Sequence, residues 1–386
     1  MPEDNKEYAK GLQDVVAGTS SICDVNGNEG KLIYAGYDIH DLAQNTTFEE
    51  VVYLLWNRSL PTAGQLAELN ADLDANRAIP APAMAILRDF PKTAAPMDAL
   101  RTAVSALGMY DPDTGGDPKD AEKNARKALR LTAQIGTLVA ALDRLRKGEE
   151  PIAPKPGLST AGNFLYMLTG KEPDETATRA LDVALILHAD HELNASTFAA
   201  RVTVATETDM YSAITSAVGT LAGPLHGGAN VNVMHLLEKI GTPDRAEEVV
   251  TAMLGAGEKI PGIGHRVYRA LDPRAVSLRA MSQQLAETSG DAKWYEISER
   301  VQAAADKALA AKGKTTLKAN VDFFSASVYH VIGIPTDLFT PVFAISRIAG
   351  WTAHVLEQLG DNRLIRPRAI YTGARDLKVV AIAQRG

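Results

Sequence analysis

The stretch Gly223-Pro-Leu-His-Gly-Gly-Ala-Asn230 decides how this chain is organised. It places His226 in a turn that is rich in glycine and proline, with helical patterns on both sides at 211–221 and 233–240. Glycine lets backbone or ligand approach closely, so a histidine here can reach a ligand that a side chain inside a helix could not. We therefore expect helices joined by short functional turns.

The composition is that of a globular protein, and it argues against a general nucleic-acid binder and against a membrane span. The 386 residues are 46% hydrophobic and 23% charged, which is enough for two domains and a sizeable core. A formal net charge of −7 leaves no basic excess to neutralise phosphates. No apolar run reaches the ~18–20 residues of a membrane span, and 1–11 lacks the apolar core of a signal peptide. The lone Cys23 excludes an intrachain disulfide, so we expect a cytoplasmic protein.

Helical patterns dominate beyond a short hairpin at the N-terminus. Residues 22–25 and 31–34 flank Asn26-Gly27 and predict two paired strands. Thr47 to Glu50 and Thr62 to Gln65 read as capping boxes that open helices. The proline-rich residues 80–96 are expected to interrupt the helical pattern. Further helices are predicted at 97–107, 118–147 (one helix or two), 164–169, 174–189, 194–206, 209–221, 229–240, 243–255, 273–288, 291–311, from 323, and 341–359.

This pattern predicts an all-α fold with one short N-terminal β-hairpin. The domain boundaries are weakly marked, because no Gly/Ser linker is present. The best hinge candidates are 223–228 and Gly333-Ile-Pro335. They divide the chain into a large domain, 1–227 with 334–386, and a smaller inserted helical domain, 228–333.

The segment His188-Ala-Asp-His-Glu192 leaves three interpretations open. His188 and His191 lie on one helix face, as two metal ligands do, but the third ligand is unspecified. A hydrogen-bonded polar helix end is the more common outcome. In the third interpretation, one of the two histidines binds an anionic substrate.

His226 and His265 are both candidates for catalysis. His226 precedes a predicted helix, whose positive end disfavours imidazolium, and a neutral ring can donate a hydrogen bond to a developing enolate. His265 lies in Gly262-Ile-Gly-His-Arg266, and Arg266 and Arg269 are expected to lower its pKa and attract anions. This glycine pattern is too short for a dinucleotide-binding motif.

Asp322 and Arg347 each keep two interpretations. Asp322 precedes Phe323-Phe324 and is either the N-cap of the next helix or a general base whose pKa is raised by partial burial. Arg347 stands on an apolar helix and needs a partner, either an acidic side chain or the carboxylate of a ligand.

Taken together, these motifs resemble the citrate synthase family. The resemblance extends from Gly30 to Arg368, and its specific part is the order His-Ala-Asp-His-Glu, Gly-Pro-Leu-His-Gly-Gly-Ala-Asn, Gly-Ile-Gly-His-Arg-Val-Tyr-Arg with Asp-Pro-Arg, and Asn-Val-Asp. It implies an all-α homodimer with a large and a small domain, no metal, and no cofactor beyond its substrates acetyl-CoA and oxaloacetate.

The resemblance also assigns roles to residues. It implies that Asp322 is the base that deprotonates acetyl-CoA, that His226 stabilises the enol(ate), and that His265 polarises the ketone of oxaloacetate. It further implies that His191, Arg274 and Arg347 bind oxaloacetate. Arg269 matches a contact to coenzyme A, and Arg366 matches an arginine given to the neighbouring subunit's site.

Departures from the family pattern keep two alternatives open. Ala326, Lys318-Ala319 and Val231-Asn232 replace residues common in relatives, and they leave the acyl group unspecified. A 2-methylcitrate synthase using propionyl-CoA is the first alternative. A non-catalytic acyl-CoA or dicarboxylate-binding paralogue is the second, and the intact Asp322, His226 and His265 argue against it. The short N-terminus favours a simple dimer.

Overall fold

The N-terminal part of the chain forms a small antiparallel sheet. The computed structural model describes residues 8–385. Strand β1 (Cys23–Asn26) pairs with β2 (Lys31–Tyr34), so that Cys23 lies opposite Tyr34. The predicted hairpin is therefore confirmed, whereas the third strand, β3 (Tyr37–Asp38), was not predicted because it is only two residues long.

The rest of the described chain is helical, which confirms the all-α prediction. The α-helices in residues 8–385 are α1 (Ile39–Asn45), α2 (Phe48–Asn57), α3 (Ala63–Asn76), α4 (Ala81–Arg88), α5 (Pro96–Gly108), α6 (Ala121–Lys147), α7 (Thr160–Thr169), α8 (Glu175–His188), α9 (Ala195–Val204), α10 (Met210–Leu221), α11 (Ala229–Ile240), α12 (Ala246–Gly255), α13 (Pro273–Ser289), α14 (Lys293–Ala311), α15 (Val321–Val331) and α16 (Phe339–Gly360).

Local capping chemistry starts and stops several of these helices where the sequence predicts. Thr47 with Glu50 and Thr62 with Gln65 form the two expected capping boxes of α2 and α3. Residues 118–147 contain one helix, α6, which Asp120 caps and which ends at Gly148 in the left-handed conformation. The expected interruption at 80–96 is wrong in part. Helix α4 lies there, because prolines are tolerated in the first turn of a helix.

Helix α16 is the centre of the core. It is buried almost without interruption, and α2, α6, α8, α9 and α10 pack around it. Trp351 and Arg347 are among the largest fully buried side chains on it. A fully buried arginine in the middle of such a helix places a charge in the interior, where it needs a partner.

Helices α11 to α15 form a second group of packed elements. Helix α13 packs on α15, α12 packs on α14, and α11 packs on α15. Helix α13 also packs on α8, so this group contacts the core through the helix that ends at His188. The predicted division at 228 and 333 falls between α10 and α11 and just after α15, and it stays a prediction.

The two ends of the described chain run over the surface. Exposed apolar side chains lie before β1, such as Val16, and after α16, such as Tyr371 and Val379. No helix in the described part of the chain is both long and apolar enough to cross a membrane.

Candidate active site

The predicted site residues lie at the ends of helices and in the turns between them. His191 follows the end of α8, and His226 lies in the turn between α10 and α11. His265 is in the loop after α12, and Arg274 and Asp322 lie in the first turns of α13 and α15. Arg347 is the exception, because it stands within α16.

His191, His265 and Tyr268 form a cluster of three rings. The ring centres of His191 and His265 are 5.4 Å apart, and Tyr268 lies 5.5 Å and 4.8 Å from them. His191 Nε2 lies 3.2 Å from the Tyr268 hydroxyl, and the Arg274 guanidinium lies 5.8 Å from the centre of the Tyr268 ring. Burial, followed by the charge of Arg274, lowers the pKa of His191 well below its usual value. His191 is therefore neutral.

Hydrogen bonding decides which nitrogen of His265 carries the proton. Nδ1 accepts from the backbone N–H groups of Val267 (3.0 Å) and Tyr268 (3.1 Å). Burial and then the charge of Arg274 lower the pKa of His265 to about 4. The neutral ring thus carries its hydrogen on Nε2 and can donate it to a ligand. Arg266 and Arg269 are exposed and are not the cause of the shift, which corrects the sequence prediction.

His226 has the opposite arrangement. Its Nε2 accepts from the backbone N–H of Ser196 (3.3 Å) and lies 2.8 Å from the Ser196 hydroxyl. Burial and then the charge of Arg347 lower the pKa of His226 to about 4. The predicted neutral ring is therefore confirmed, although burial and Arg347 cause it, whereas the sequence interpretation invoked the helix end. The hydrogen is on Nδ1, which is free to donate.

Two glycine positions explain how these turns come so close to other elements. A Cβ atom at Gly227 would lie 2.3 Å from the Leu221 carbonyl oxygen, so the turn before α11 can close only on glycine. Gly262 has a φ of 75°, and a Cβ there would lie 2.8 Å from Val233 and 2.9 Å from Phe323.

The loop that carries His265 is bonded to the segment that precedes Asp322. Gly264 N–H donates to the Lys318 carbonyl (2.7 Å), and Asn320 N–H donates to the Gly262 carbonyl (2.9 Å). The Asn320 side chain also donates to the Gly264 carbonyl (2.8 Å). These bonds fix His265 relative to the beginning of α15.

Asp322 is a basic carboxylate at the beginning of α15. The N-cap is Asn320, whose side chain accepts from Asp322 N–H, so the Asp322 carboxylate is not used for capping. Burial is the largest cause of a rise in the pKa of Asp322 to about 6. Asp272 contributes to the rise, and Arg274 and Arg347 oppose it. Asp322 is thus ionised at neutral pH and still basic enough to accept a proton.

The two buried arginines differ in how they are paired. Asp272 binds Arg274 Nε (2.9 Å) and Nη2 (2.8 Å), and its Oδ2 also accepts from Val321 N–H (3.0 Å). Asp272 thereby joins Arg274 to the helix that carries Asp322. Arg347 Nε donates to the His188 carbonyl (2.7 Å), and no acidic side chain in residues 8–385 forms an ion pair with it within 4 Å. Its outer nitrogens suit a ligand carboxylate.

Arg269 and Arg366 lie apart from this cluster in the single chain. The Arg269 side chain is exposed, and its backbone N–H donates to the Gly27 carbonyl (2.8 Å). Arg366 is exposed in the extended segment after α16, where it lines a cleft of about 810 Å³ that also contacts Ser20 and Glu357.

The described residues offer no set of metal ligands around His188 and His191. Residues 8–385 hold no group of three or more His, Cys, Asp or Glu side chains arranged to bind a metal ion. His188 is fully buried and its Nδ1 lies 2.7 Å from the Ala184 carbonyl oxygen. Burial lowers the pKa of His188 to about 3.

Comparison with known proteins shows the family of this chain. The family model described as "Citrate synthase, C-terminal domain" matches residues 11–368. The chain belongs to the citrate synthase family. It is 50% identical to citrate synthase 2 of Bacillus subtilis, over 97% of this chain and 99% of that protein. It is also 40% identical to 2-methylcitrate synthase 1 of Corynebacterium glutamicum, over 99% of both chains.

A solved citrate synthase supports the same fold. The citrate synthase of Thermoplasma acidophilum, solved as a ternary complex with carboxymethyl coenzyme A and oxaloacetate, aligns with a TM-score of 0.90 and 33% identity, covering 98% of this chain and 100% of that chain. The likeness extends over the whole citrate synthase fold.

Sequence reasoning missed three residues that contact the candidate site residues. Tyr268 contacts both His191 and His265, Ser196 orients His226, and Asp272 joins Arg274 to α15. Asp272 stands two residues before Arg274 and could have been found as the N-cap of α13. Ser196 and His226 are thirty residues apart, and only the fold brings them together.

Proposed function

We propose that this chain condenses acetyl-CoA with oxaloacetate and water to give citrate and CoA. The observation that carries the proposal is a basic carboxylate, Asp322, and two neutral histidines that each present an N–H group. The charge of Arg347 acts on both Asp322 and His226, and that of Arg274 acts on both Asp322 and His265. A carboxylate of ordinary pKa cannot deprotonate a carbon acid unaided, so the enolate must be stabilised as it forms.

In the first step Asp322 removes a proton from the methyl group of acetyl-CoA. The C–H bond breaks, its electron pair moves toward the thioester, and the proton goes to the Asp322 carboxylate. His226 donates its Nδ1 hydrogen to the thioester oxygen, where negative charge develops. Because the donor is neutral and held by Ser196, it is already oriented before charge appears.

In the second step the enol(ate) carbon attacks the ketone of oxaloacetate. His265 donates from Nε2 to the ketone oxygen and polarises the carbonyl. His191, Arg274 and Arg347 hold the two substrate carboxylates. A new C–C bond gives citryl-CoA, and water then cleaves the thioester to release citrate and CoA. These steps need no metal or redox cofactor.

The remaining assignments extend the same proposal. The exposed Arg269 suits a phosphate of coenzyme A. Residues 228–333 would act as a small domain that closes over the substrates and positions the reacting groups. The lone cysteine favours function in the cytoplasm.

A homodimer is also part of the proposal. Apolar side chains in the segments before β1 and after α16 are exposed in the single chain; for example, Val16 is 88% and Val379 is 93% exposed. Apolar surface of this kind is typical of protein interfaces. Arg366 lies in the second of these segments, so a partner subunit could receive it in its own active site.

A thiol-release assay tests the activity. Purified protein mixed with acetyl-CoA and oxaloacetate is expected to release one CoA thiol per citrate formed. A non-catalytic acyl-CoA or dicarboxylate-binding paralogue would release none.

The same assay with propionyl-CoA tests the alternative, 2-methylcitrate synthesis, which the Corynebacterium glutamicum relative keeps open. A higher kcat/KM for propionyl-CoA than for acetyl-CoA would replace citrate with 2-methylcitrate as the product of this chain.

A further inference from the structure

Asp190 is a fully buried carboxylate that the proposed reaction does not use. It lies between His188, whose carbonyl binds Arg347, and His191. Its Oδ2 accepts from Glu192 N–H (3.2 Å) and lies 3.3 Å from His354 Nε2. An ionised group at such a depth is costly unless it is paired, so its partners matter.

Asp190 lies in a turn, 188–192, whose backbone has an unusual conformation and is held on two sides. Glu192 has a φ of 54°, in the left-handed region that residues other than glycine seldom adopt. The Asp190 N–H donates to the Tyr34 hydroxyl (3.1 Å), and that hydroxyl donates to the Asp190 carbonyl (2.9 Å). The turn is thus held against β2 on one side, and the Gly350 N–H of α16 donates to the Ala189 carbonyl (3.1 Å) on the other.

The partner of Asp190 is itself fixed by an arginine. Arg201 Nη1 lies 2.9 Å from His354 Nδ1, and a guanidinium can only donate, so Nδ1 accepts. His354 therefore carries its hydrogen on Nε2 and donates it to Asp190. Arg201 is held in turn by Glu357 (2.7 Å) and Gln358 (3.0 Å). The result is an ordered chain of buried groups behind the turn.

The same carboxylate acts on the charge of Arg347. Burial lowers the pKa of Arg347 to about 10, and Asp190 is the strongest influence in the opposite direction. For Asp190, burial raises the pKa, but His354 and Arg347 outweigh burial and hold it below its usual value. Asp190 is therefore ionised, and it offsets the positive charge of a buried arginine that has no ion pair among residues 8–385.

We propose that Asp190, His354 and Arg201 form a positioning relay, which fixes the turn at 188–192 so that His191 and Arg347 face the carboxylates of the substrate. The proposal rests on the function above, in which these two residues bind oxaloacetate. None of the three relay residues touches the reacting atoms. They act by holding the groups that do.

Three substitutions of His354 differ in which hydrogen bonds of the relay they keep. In His354→Gln the amide nitrogen takes the position of Nε2 and can still donate to Asp190, while the acceptor for Arg201 is lost. The shorter amide in His354→Asn reaches Arg201 only, and His354→Leu reaches neither. The expected KM for oxaloacetate rises about tenfold in the Asn and Leu variants and stays within about threefold of the unsubstituted protein in the Gln variant. The KM for acetyl-CoA stays within about twofold throughout.

Thr352→Val is the matched control. Thr352 is buried on the same helix and accepts from Trp56 Nε1 (2.9 Å), and its hydroxyl donates within α16, to the carbonyls of Ile348 and Ala349, and not to the turn at 188–192. A loss of packing alone would lower the melting temperature of this variant and of His354→Leu alike, with no change in the KM for oxaloacetate. If His354→Leu does not fold, the comparison of Gln with Asn decides the question.

Calorimetric binding of oxaloacetate to each variant separates this proposal from the proposed function. The unsubstituted protein should bind oxaloacetate and release thiol. Absence of binding in it overturns both proposals. Normal thiol release together with an unchanged oxaloacetate KM in the Asn and Leu variants overturns the relay alone, as does an equal rise in Thr352→Val.

Discussion

Burial sets the protonation state of the groups that the proposed reaction uses. It lowers the pKa of His226 and His265 to about 4 and raises the pKa of Asp322 to about 6, so both histidines are neutral donors and the carboxylate is a strengthened base at neutral pH. The charges of Arg347 and Arg274 add to the lowering of the pKa of His226 and His265, respectively, and both oppose the rise of the pKa of Asp322. Site chemistry therefore depends on which side chains are removed from water, and a residue's sequence neighbours say little about it.

Replacement of Asp322 by alanine is the sharpest test at this scale. Asp322→Ala should reduce kcat to below about a thousandth of the value for the unsubstituted protein, because general-base assistance is lost. The affinity for oxaloacetate, measured by calorimetry, should be retained, since Arg274 keeps its own partner, Asp272. Loss of oxaloacetate binding with little loss of turnover at saturation would contradict the assignment of the base.

The pH dependence of kcat/KM for acetyl-CoA should follow the same carboxylate. Asp322 acts only when ionised, so kcat/KM should rise about tenfold per pH unit below its pKa of about 6 and level off above it. The two histidines are already neutral at pH 5 and add no rise in this range. Oxaloacetate binding over the same range serves as the control, and a flat profile from pH 5 to 7 would rule out this role.

At the scale of elements, the site depends on loops that are bonded to helix ends. The loop after α12 and the segment before α15 share three hydrogen bonds, so His265 and Asp322 are positioned together. Gly262 makes this possible, because its position admits no Cβ atom between Val233 and Phe323.

A pair of glycine substitutions tests that close approach. Gly262→Ala and Gly257→Ala both place alanine at a positive φ, 75° and 78°, but only Gly262 is crowded. Gly262→Ala should lower stability by about 1–3 kcal/mol more than Gly257→Ala, through overpacking. It should also lower kcat at least about tenfold, since His265 and Asp322 shift. Thermal unfolding and kcat check this, and equal effects of the two substitutions would count against the argument.

Local chemistry made many elements predictable, while long-range contacts escaped prediction. Thr47 and Thr62 predict the beginnings of α2 and α3, because each forms a capping box with the residue three positions later. The motifs that contain His226, His265 and Asp322 are short and follow one another along the chain in a recognisable order. The cause of the lowered pKa of His265 was predicted wrongly, because the sequence does not show that Arg266 is exposed while Arg274 is buried. The contact of Ser196 with His226 was invisible for the same reason.

At the scale of the whole molecule, the proposed homodimer would complete the site with Arg366 from a second copy of the chain. Six of the eight predicted site residues belong to the buried or partly buried elements of one subunit, and Arg366 lies outside in the exposed segment after α16. A site shared in this way would make activity a property of the proposed dimer.

Co-expression of two inactive chains tests this sharing. Asp322→Ala and Arg366→Leu should each be nearly inactive alone. In a mixed dimer one site has an intact Asp322 and receives an intact Arg366 from its partner, so equal amounts should regain about a quarter of normal activity. If Arg366 served its own subunit, no activity would return. Multi-angle light scattering on the purified mixture checks whether dimers form.

The buried position of Cys23 has a practical consequence for all of these measurements. It is the chain's single cysteine, it is 8% exposed beside Asp190, and burial raises the pKa of its thiol well above the usual value. A thiol of this kind scarcely forms the reactive thiolate. A chromogenic disulfide reagent should therefore count the coenzyme released in real time, with neither a background from the folded enzyme nor inactivation of it.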